Sequence, residues 1–330
     1  MNALSKIKER ARSKKRRVVL PEGIEPRSIQ AAKKILSEEI ASVTLVGDEK
    51  EIESLAKEHG LNLAKVEVIN PAHSADFAGY VAQFMELRKA KGITEEQAKE
   101  TLLQPLFFGA MLVRNGKADA SVAGALNTTG DVLRAALQVI GLKEGIRVVS
   151  SCFMMTVPKY RDELDKVFLY ADGAVVPNPS AEQMVSIAAS TAETWRNLIG
   201  TEPRIAFLSF STRGSAKHAD VDKVVKAVET FKAKYPDIKA DGEFQVDAAI
   251  VPEIAERKAP GSAIQGDANI LIFPDLDAGN IGYKLTQRLA GATATGPIIQ
   301  GLALPANDLS RGCSADDIVD VTAIATLMKG

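Results

Sequence analysis

Short apolar runs rich in β-branched residues alternate along the chain with longer segments in which apolar residues recur every three or four positions. The runs predict strands, and the longer segments predict amphipathic helices. Strands are expected at residues 17–20, 42–46, 66–69, 118–123, 147–151, 167–171, 204–209 and 269–273. Because the runs are apolar throughout and helices separate them, the pattern is typical of parallel strands covered by helices on both faces. The predicted fold class is an α/β three-layer sandwich with mostly parallel sheets.

Helices are expected between these strands, at residues 26–39, 75–91, 94–103, 131–140, 180–198, 219–235 and 280–290. The length of 330 residues is large for one domain and suits two. The best place for a change of domain is residues 148–158, and the last strand and helix, residues 297–329, are predicted to return to the first domain. The first domain is therefore predicted at residues 1–150 and 297–330, and the second at 151–296.

The overall charge is balanced, with 41 basic and 42 acidic side chains, so the chain has no general attraction for polyanions and nucleic acid is not an expected partner. The first seventeen residues are basic, which fits a signal n-region, a polyanion-binding arm or a solvated helix. Only Val18, Val19 and Leu20 follow before Pro21, too few for the apolar core of a signal peptide. No window is apolar enough for a membrane span. We expect a cytoplasmic protein without a membrane partner.

The residues that usually hold metals or form disulfides are few. The chain has two cysteines, Cys152 and Cys313, and three scattered histidines. This count excludes a disulfide framework, and no metal-ligand spacing occurs, so no metal is expected. No GxGxxG follows a predicted strand, and no GxSxG is present. Common NAD-dependent and serine-hydrolase templates are therefore disfavoured.

Three segments combine a predicted strand end with polar side chains. The first runs from Ala123 to Asp131, where a glycine turn leads into a helix with Thr128 and Thr129 at its start and Arg134 further on. Its backbone N–H groups and helix end could receive phosphate, or a threonine could simply cap the helix.

The second segment, residues 209–215, places Ser211 and Arg213 at a strand end, the edge where open α/β sheets bind ligands. It is equally well interpreted as a polar loop. The third, residues 307–317, gathers a hydroxyl, a guanidinium, a thiol and three carboxylates. Ser314 and Asp317 in this segment also have the spacing of a helix capping box.

Six short motifs occur in a characteristic order over about 300 residues. They are Val19-Leu20-Pro21-Glu22-Gly23; Glu86-Leu87-Arg88-Lys89 with Gly92-Ile93-Thr94; Asp131-Val132-Leu133-Arg134; Pro274-Asp275-Leu276-Asp277-Ala278-Gly279-Asn280; Gly296-Pro297; and Asn307-Asp308-Leu309-Ser310-Arg311-Gly312. With these motifs the chain resembles the phosphate acetyl/butyryltransferase family along essentially its whole length.

The resemblance implies an enzyme that moves acetyl between the sulfur of coenzyme A and an oxygen of phosphate. It implies a homodimer of two-domain subunits, an isocitrate-dehydrogenase-like fold and an active site between the domains. It also implies no cofactor, because coenzyme A and acetyl phosphate are substrates. Ser310, Arg311 and Asp317 correspond to the catalytic centre. Arg88, Arg134 and Arg288 correspond to arginines that serve coenzyme A or phosphate, and Thr128, Thr129 and Ser211 are further candidate contacts.

The expected mechanism is direct transfer in a ternary complex. Asp317 takes the thiol proton, Ser310 donates to the developing oxyanion, and Arg311 binds phosphate through its planar fork. Cys313 is the rival nucleophile, since it precedes a predicted helix start, where thiol pKa values fall.

Other interpretations stay open at this point. Within the family, butyryl or propionyl could replace acetyl, because one methylene changes specificity by only about 1 to 3 kcal/mol. Outside catalysis, the chain could be a non-catalytic acetyl-CoA-sensing module. The fold would also suit a metal-dependent β-decarboxylating dehydrogenase, for which Asp275 and Asp277 are the only tempting carboxylate pair.

Overall fold

The structure, a computed structural model that describes residues 2–329, contains two compact units. Ala3–Lys143 and residues 302–329 form the first unit, and Glu144–Gly301 form the second. The boundaries differ from the predicted ones by a few residues, since 144–150 and 297–301 belong to the second unit. Residues 297–301 therefore do not return to the first unit, whereas the last strand, Ala306–Asp308, and the last helix do.

The first unit contains five strands and eight α-helices within the described residues. The strands are β1 (Arg17–Leu20), β2 (Ser42–Val46), β3 (Glu67–Ile69), β4 (Ala120–Ala123) and, near the end of the chain, Ala306–Asp308. The helices are α1 (Ala3–Lys14), α2 (Pro26–Ser37), α3 (Glu49–His59), α4 (Phe77–Arg88), α5 (Glu95–Leu102), α6 (Pro105–Arg114), α7 (Thr129–Val139) and, last in the chain, Ala315–Met328.

All five strands of this unit are parallel, and both ends of the chain contribute to one sheet. Its order is Ala306–Asp308, β4, β1, β2, β3. Val19 of β1 belongs to an apolar cluster with residues of α4 to α7. Val18 and Leu20 are equally buried and point the other way, since side chains alternate along a strand. Helices therefore cover both faces, which explains the continuous apolar runs.

The second unit contains six strands and five α-helices. The strands are β5 (Ser150–Tyr160), β6 (Glu163–Ala171), β7 (Arg204–Leu208), β8 (Lys239–Phe244), β9 (Ile270–Ile272) and β10 (Thr293–Gln300). The helices are α8 (Ala181–Leu198), α9 (Ala219–Lys234), α10 (Val246–Ile250), α11 (Pro252–Lys258) and α12 (Leu276–Leu289). In chain order the remaining strand and helix of the first unit are β11 (Ala306–Asp308) and α13 (Ala315–Met328).

The sheet of the second unit is mixed, in the order β10-β5-β6-β9-β7-β8. β6, β9, β7 and β8 run parallel, and β5 pairs antiparallel with both β6 and β10. The predicted strand at 147–151 is therefore only the start of the longer β5, which turns back through a tight connection into β6. The predicted α/β class with mostly parallel sheets is confirmed, with β5 and β10 as the antiparallel exceptions.

Candidate active site

Three loops of the first unit follow neighbouring parallel strands. They leave β1 after Leu20, β4 after Ala123 and β11 after Asp308, and these strands are adjacent in the order β11-β4-β1. The carboxyl ends of parallel strands meet at one edge of a sheet, where open α/β sheets bind ligands. The loops bring together Glu22, the turn before α7, and the segment that contains Ser310 and Arg311.

Glu22, in the loop after β1, is 3% exposed, and its carboxylate binds the loop after β4. Oε2 accepts hydrogen bonds from the backbone N–H groups of Gly124 (3.0 Å) and Ala125 (2.8 Å). Oε1 accepts from the backbone of Leu126 (3.1 Å) and Asn127 (2.8 Å) and from the Asn127 side chain (2.9 Å). The backbone amides of Gly124 to Asn127 are therefore occupied by a carboxylate of the same chain, and only the helix start itself stays a predicted phosphate contact.

The two threonines at the start of α7 have different partners. Thr128 is the N-cap, and its Oγ1 accepts from the backbone N–H of Asp131 at 3.2 Å. This bond confirms the capping alternative. Thr129 is exposed, and its Oγ1 donates to Asp308 Oδ2 at 2.6 Å, which ties the start of α7 to the end of β11.

Asp308 is 1% exposed, and its Oδ1 has no hydrogen-bond partner among the described residues. Burial raises the pKa of its carboxyl to about 6, the bond from Thr129 opposes the rise, and the nearby Glu22 carboxylate adds to it. Gly124 lies so close that a Cβ there would come within 2.5 Å of Asp308 Oδ1, and its φ is +106°. Only glycine fits at that position.

Arg27, in the first turn of α2, joins the loops after β4 and β11. Its guanidinium donates to the carbonyl oxygens of Ala125 (2.7 Å), Arg311 (2.7 Å) and Cys313 (2.9 Å). Its Nε donates to Glu25 at 2.7 Å, and this bond lowers the pKa of the Glu25 carboxyl. A planar guanidinium with fixed donors can hold three carbonyls at once, which a lysine cannot do. Arg27 therefore fixes the backbone on both sides of Arg311.

Ser310 and Arg311 are exposed on this fixed loop. The Ser310 carbonyl accepts from the backbone of Cys313 at 2.8 Å, and its Oγ accepts from Gly312 at 3.2 Å. The Arg311 guanidinium forms no hydrogen bond or ion pair within residues 2–329, although its carbonyl is held by Arg27. The segment after β11 therefore carries an exposed serine hydroxyl and, on the next residue, a guanidinium that is unpaired within residues 2–329.

Asp317 is exposed in the first turn of α13 and forms a capping box with Ser314. Its Oδ2 accepts from the Ser314 backbone and from Ser314 Oγ, both at 2.8 Å, and its N–H donates to Ser314 Oγ at 3.1 Å. This arrangement confirms the capping alternative. The catalytic role of Asp317 stays a prediction.

Cys313 is 8% exposed, and burial raises the pKa of its thiol to about 11 although Arg27 opposes the rise. The expectation of a lowered thiol pKa before the helix start is therefore wrong. Cys152 lies in β5 of the second unit and is fully buried, which also raises its thiol pKa. Both cysteines are free.

The three predicted arginines differ in their surroundings. Arg134 of α7 pairs with Asp131 at 2.8 Å and, with Asn127, lines a cavity of about 340 Å³ at the start of α6. Arg88 is the last residue of α4, and Arg288 is exposed in the last turn of α12 in the second unit. Neither Arg88 nor Arg288 has a hydrogen bond or ion pair within residues 2–329. Both are available for an anionic ligand.

Ser211 does not fit its predicted role as a substrate contact. It lies in the second unit and is fully buried, and its Oγ donates to Glu243 at 2.7 Å and accepts from the backbone of Ala216 at 3.1 Å. The hydroxyl therefore stabilises its own loop, as the polar-loop alternative implied.

Three residues of this site have no role in the sequence analysis, namely Glu22, Arg27 and Asp308. Glu22 and Asp308 stand inside quoted motifs, so the motifs point to them without giving their function. Arg27 carries no local signal, because its carbonyl partners lie 98 to 286 residues away.

Among the described residues no group of histidine, cysteine and carboxylate side chains could hold a metal ion. No helix within residues 2–329 has the length and apolar character to cross a membrane.

Comparison with solved structures first defines the class of protein. The 4-hydroxythreonine-4-phosphate dehydrogenase of Klebsiella pneumoniae has the same fold, with a TM-score of 0.56 at 13% identity over 96% of this chain and 100% of that chain. The predicted likeness to dehydrogenases is thereby confirmed for the fold alone. The EutD phosphotransacetylase of Staphylococcus aureus is much more similar, with a TM-score of 0.92 at 43% identity over 99% of this chain and 98% of that chain.

The sequence comparisons lead to the same class of enzyme as the similarity to the EutD phosphotransacetylase structure. The family described as Phosphate acetyl/butaryl transferase matches residues 2–326. The phosphate acetyltransferase of Thermoanaerobacterium thermosaccharolyticum is 53% identical over 323 residues, which are 98% of each chain. The chain therefore belongs to the phosphate acetyl/butyryltransferase family, as its motifs indicated, and is an enzyme of that family.

Proposed function

We propose that the protein is a phosphate acetyltransferase, which interconverts acetyl-CoA and phosphate with acetyl phosphate and coenzyme A. The observation that carries the proposal is the free guanidinium of Arg311 beside the Ser310 hydroxyl, on a loop that Arg27 holds. An unpaired arginine fork suits bidentate binding of a phosphoryl group. The names of the relatives support acetyl as the transferred group.

In the proposed mechanism the coenzyme A thiolate attacks the acetyl carbon of acetyl phosphate within one ternary complex. Ser310 Oγ donates a hydrogen bond to the carbonyl oxygen as negative charge develops on it. Arg311 binds the phosphate that leaves, while Arg88, Arg134 and Arg288 serve coenzyme A or phosphate. The same groups act in the reverse direction.

Asp317 is the proposed base for the thiol proton. An ordinary aspartate and an ordinary thiol differ by about 4.6 pKa units, which makes the proton transfer uphill by roughly 6 kcal/mol. Asp317 is exposed in the free protein. Bound substrate must therefore shield this carboxylate from water before it can act efficiently, while Arg311 stays closer to phosphate than to Asp317.

The activity is tested by following phosphate-dependent release of free thiol from acetyl-CoA, propionyl-CoA and butyryl-CoA. The proposal expects release from acetyl-CoA that requires phosphate. Preference for butyryl-CoA would place the enzyme with the butyryl transferases instead. Binding of acetyl-CoA without any turnover would support the acetyl-CoA-sensing module.

We also propose that the enzyme is a cytoplasmic homodimer. An apolar stripe on α12 supports self-association, because Ile281, Leu285 and Leu289 recur every four residues and are 56%, 50% and 82% exposed. Light scattering should give twice the chain mass for the wild type and the chain mass for the double variant Leu285→Glu, Leu289→Glu. The matched control is Leu164→Glu, because Leu164 is 76% exposed and lies in β6 next to its connection with β5. A monomeric wild type would refute the dimer.

A further inference from the structure

A single hydrogen bond joins a buried carboxylate of the first unit to a hydroxyl at its surface. Asp308 is buried beside Glu22, and its only side-chain hydrogen-bond partner within residues 2–329 is Thr129 Oγ1, at 2.6 Å. Thr129 is itself exposed at the first position of α7. The proposed reaction gives Asp308 no role, although it lies two residues before Ser310.

We propose that Asp308 is a positioning residue of the acetyl transfer reaction, which acts by setting the direction of the Thr129 hydroxyl. When Asp308 is protonated, it donates to Thr129 Oγ1, and the Thr129 hydrogen is free to bind an oxygen of phosphate or acetyl phosphate. This inference rests on the proposed function, because the anion is the proposed substrate.

The donors and acceptors of the two side chains limit the directions that this hydrogen bond can take. A threonine hydroxyl carries one hydrogen, and an ionised carboxylate can only accept. With Asp308 ionised, Thr129 must donate inward and presents only lone pairs to the outside, where an anion is repelled. With Asp308 protonated, the bond reverses and Thr129 becomes an outward donor. Asp308 Oδ1 has no hydrogen-bond partner among the described residues, although the nearby backbone N–H of Leu309 favours the ionised carboxylate.

The surrounding charges favour a proton on Asp308 when the substrate binds. The Glu22 carboxylate faces it from the loop after β1 and repels its ionised form. On α7, Asp131 is paired with Arg134. Arg27 donates to three carbonyl oxygens and to Glu25 and forms no hydrogen bond or ion pair with Asp308.

Arg311, three residues after Asp308, keeps its guanidinium free of partners within residues 2–329. An anion that binds the Thr129 hydroxyl adds negative charge near Asp308, because this hydroxyl contacts the Asp308 carboxylate. Because burial already raises the pKa of Asp308 to about 6, a bound anion should raise it further, so that binding near neutral pH takes up a proton.

The first experiment measures the KM for acetyl phosphate between pH 5.5 and 8. The wild type should lose affinity by about tenfold as pH rises, the size expected for one hydrogen bond to a charged group. Asp308→Asn, whose amide donates permanently to Thr129, should bind tightly at every pH. Thr129→Val should bind weakly at every pH, and Thr129→Ser should recover the dependence. Asp76→Asn, the same change at a half-buried residue just before α4 that pairs with Lys117, should behave as wild type.

The second experiment needs no turnover. Isothermal titration of inorganic phosphate in buffers of different ionisation enthalpy counts the protons taken up, and Asp308→Asn should take up fewer than the wild type. Since phosphate also titrates near neutral pH, the difference between the two proteins is the informative quantity. Equal proton uptake, no measurable phosphate binding, or equal pH profiles for wild type and Thr129→Val would overturn the inference. Absent thiol release with the expected proton uptake would instead refute the proposed activity.

Discussion

The loops after β4 and after β11 follow adjacent strands of one sheet, but they differ in how they can interact with an anion from solution. The loop after β4 has five N–H donors directed at one point, and the Glu22 carboxylate already fills that point. The loop after β11 has its backbone held by Arg27 and leaves the Arg311 guanidinium unpaired within residues 2–329. An arrangement that looks like a phosphate site can therefore be internal structure, whereas the free cation lies in the neighbouring loop.

Removal of the free cation should have the largest effect. Arg311→Ala and Arg311→Lys are both expected to lose about 100-fold or more in kcat/KM, because a lysine point charge cannot reproduce a bidentate contact. Initial rates with varied phosphate measure this loss. Arg196→Lys, at a surface arginine that pairs with Glu202, is the control. Near-normal turnover and phosphate affinity in Arg311→Lys would remove Arg311 from the site.

Asp317→Asn should lower turnover much more than affinity, by about 100-fold if the carboxylate is the general base. The amide has almost the same volume and can still accept from the Ser314 backbone, so the cap is largely kept. If Asp317 were only a cap, the variant would lose about 1 kcal/mol of unfolding free energy instead. Turnover per folded molecule and melting temperature separate the two outcomes, with Asp316→Asn in the same helical turn as the control.

The loop after β4 is tested by Glu22→Gln and Glu22→Ala. Loss of a buried carboxylate that accepts five hydrogen bonds should reduce the free energy of unfolding by about 3 kcal/mol, because its donors are left unpaired. Formate, a small carboxylate, should then raise the melting temperature of Glu22→Ala more than that of the wild type. Glu96→Gln on the exposed side of α5 is the control. A Glu22→Ala protein as stable as the wild type would contradict an internal anion site.

Substitution of Asp308, which ends β11 and is hydrogen-bonded to Thr129 at the start of α7, should have a smaller effect on stability, and this effect depends on pH. Its pKa is about 6 in the folded protein against 3.8 ordinarily, so the folded state binds more protons than the unfolded state between these values. The wild type should therefore lose up to about 3 kcal/mol of stability, relative to Asp308→Asn, as pH rises from about 4 to about 7. Chemical denaturation at several pH values measures this difference. A constant difference would show that Asp308 does not titrate in this range.

Local features of the fold follow directly from the sequence. β1 and β2 occupy the predicted residues because each is a short apolar run next to a turn. The capping box of Ser314 and Asp317 forms as its spacing of three residues indicates. In each case the element is determined by residues that are close to one another along the chain, so the local sequence pattern is enough to predict it.

Features that depend on distant partners could not be predicted. β8 was missed because its sequence, from Lys239 to Phe244, includes Asp241, Gly242 and Glu243, residues that disfavour strands. Asp241 is stabilised there by Arg213 and Ser262, 28 and 21 residues away. The same limitation hid Glu22, whose amide partners follow it by 102 to 105 residues. A single sequence gives no indication of which turn a buried carboxylate will fill.

The smallest effect is expected for the cysteine in the loop after β11. Burial raises the pKa of the Cys313 thiol to about 11, so little thiolate is present near neutral pH, and coenzyme A already supplies a thiol. Cys313→Ala and the buried Cys152→Ala should keep most of their turnover, with about 1 kcal/mol of lost stability from the removed sulfur.

Direct transfer also predicts initial rates that give intersecting double-reciprocal lines, because both substrates must be bound before the acetyl group moves. Parallel lines would indicate an acetylated enzyme instead. So would acetyl label trapped on the protein from acetyl phosphate alone and lost in Cys313→Ala. That result would also reverse the comparison of the two loops, since the loop after β11 would then act through a covalent nucleophile rather than through the free guanidinium of Arg311.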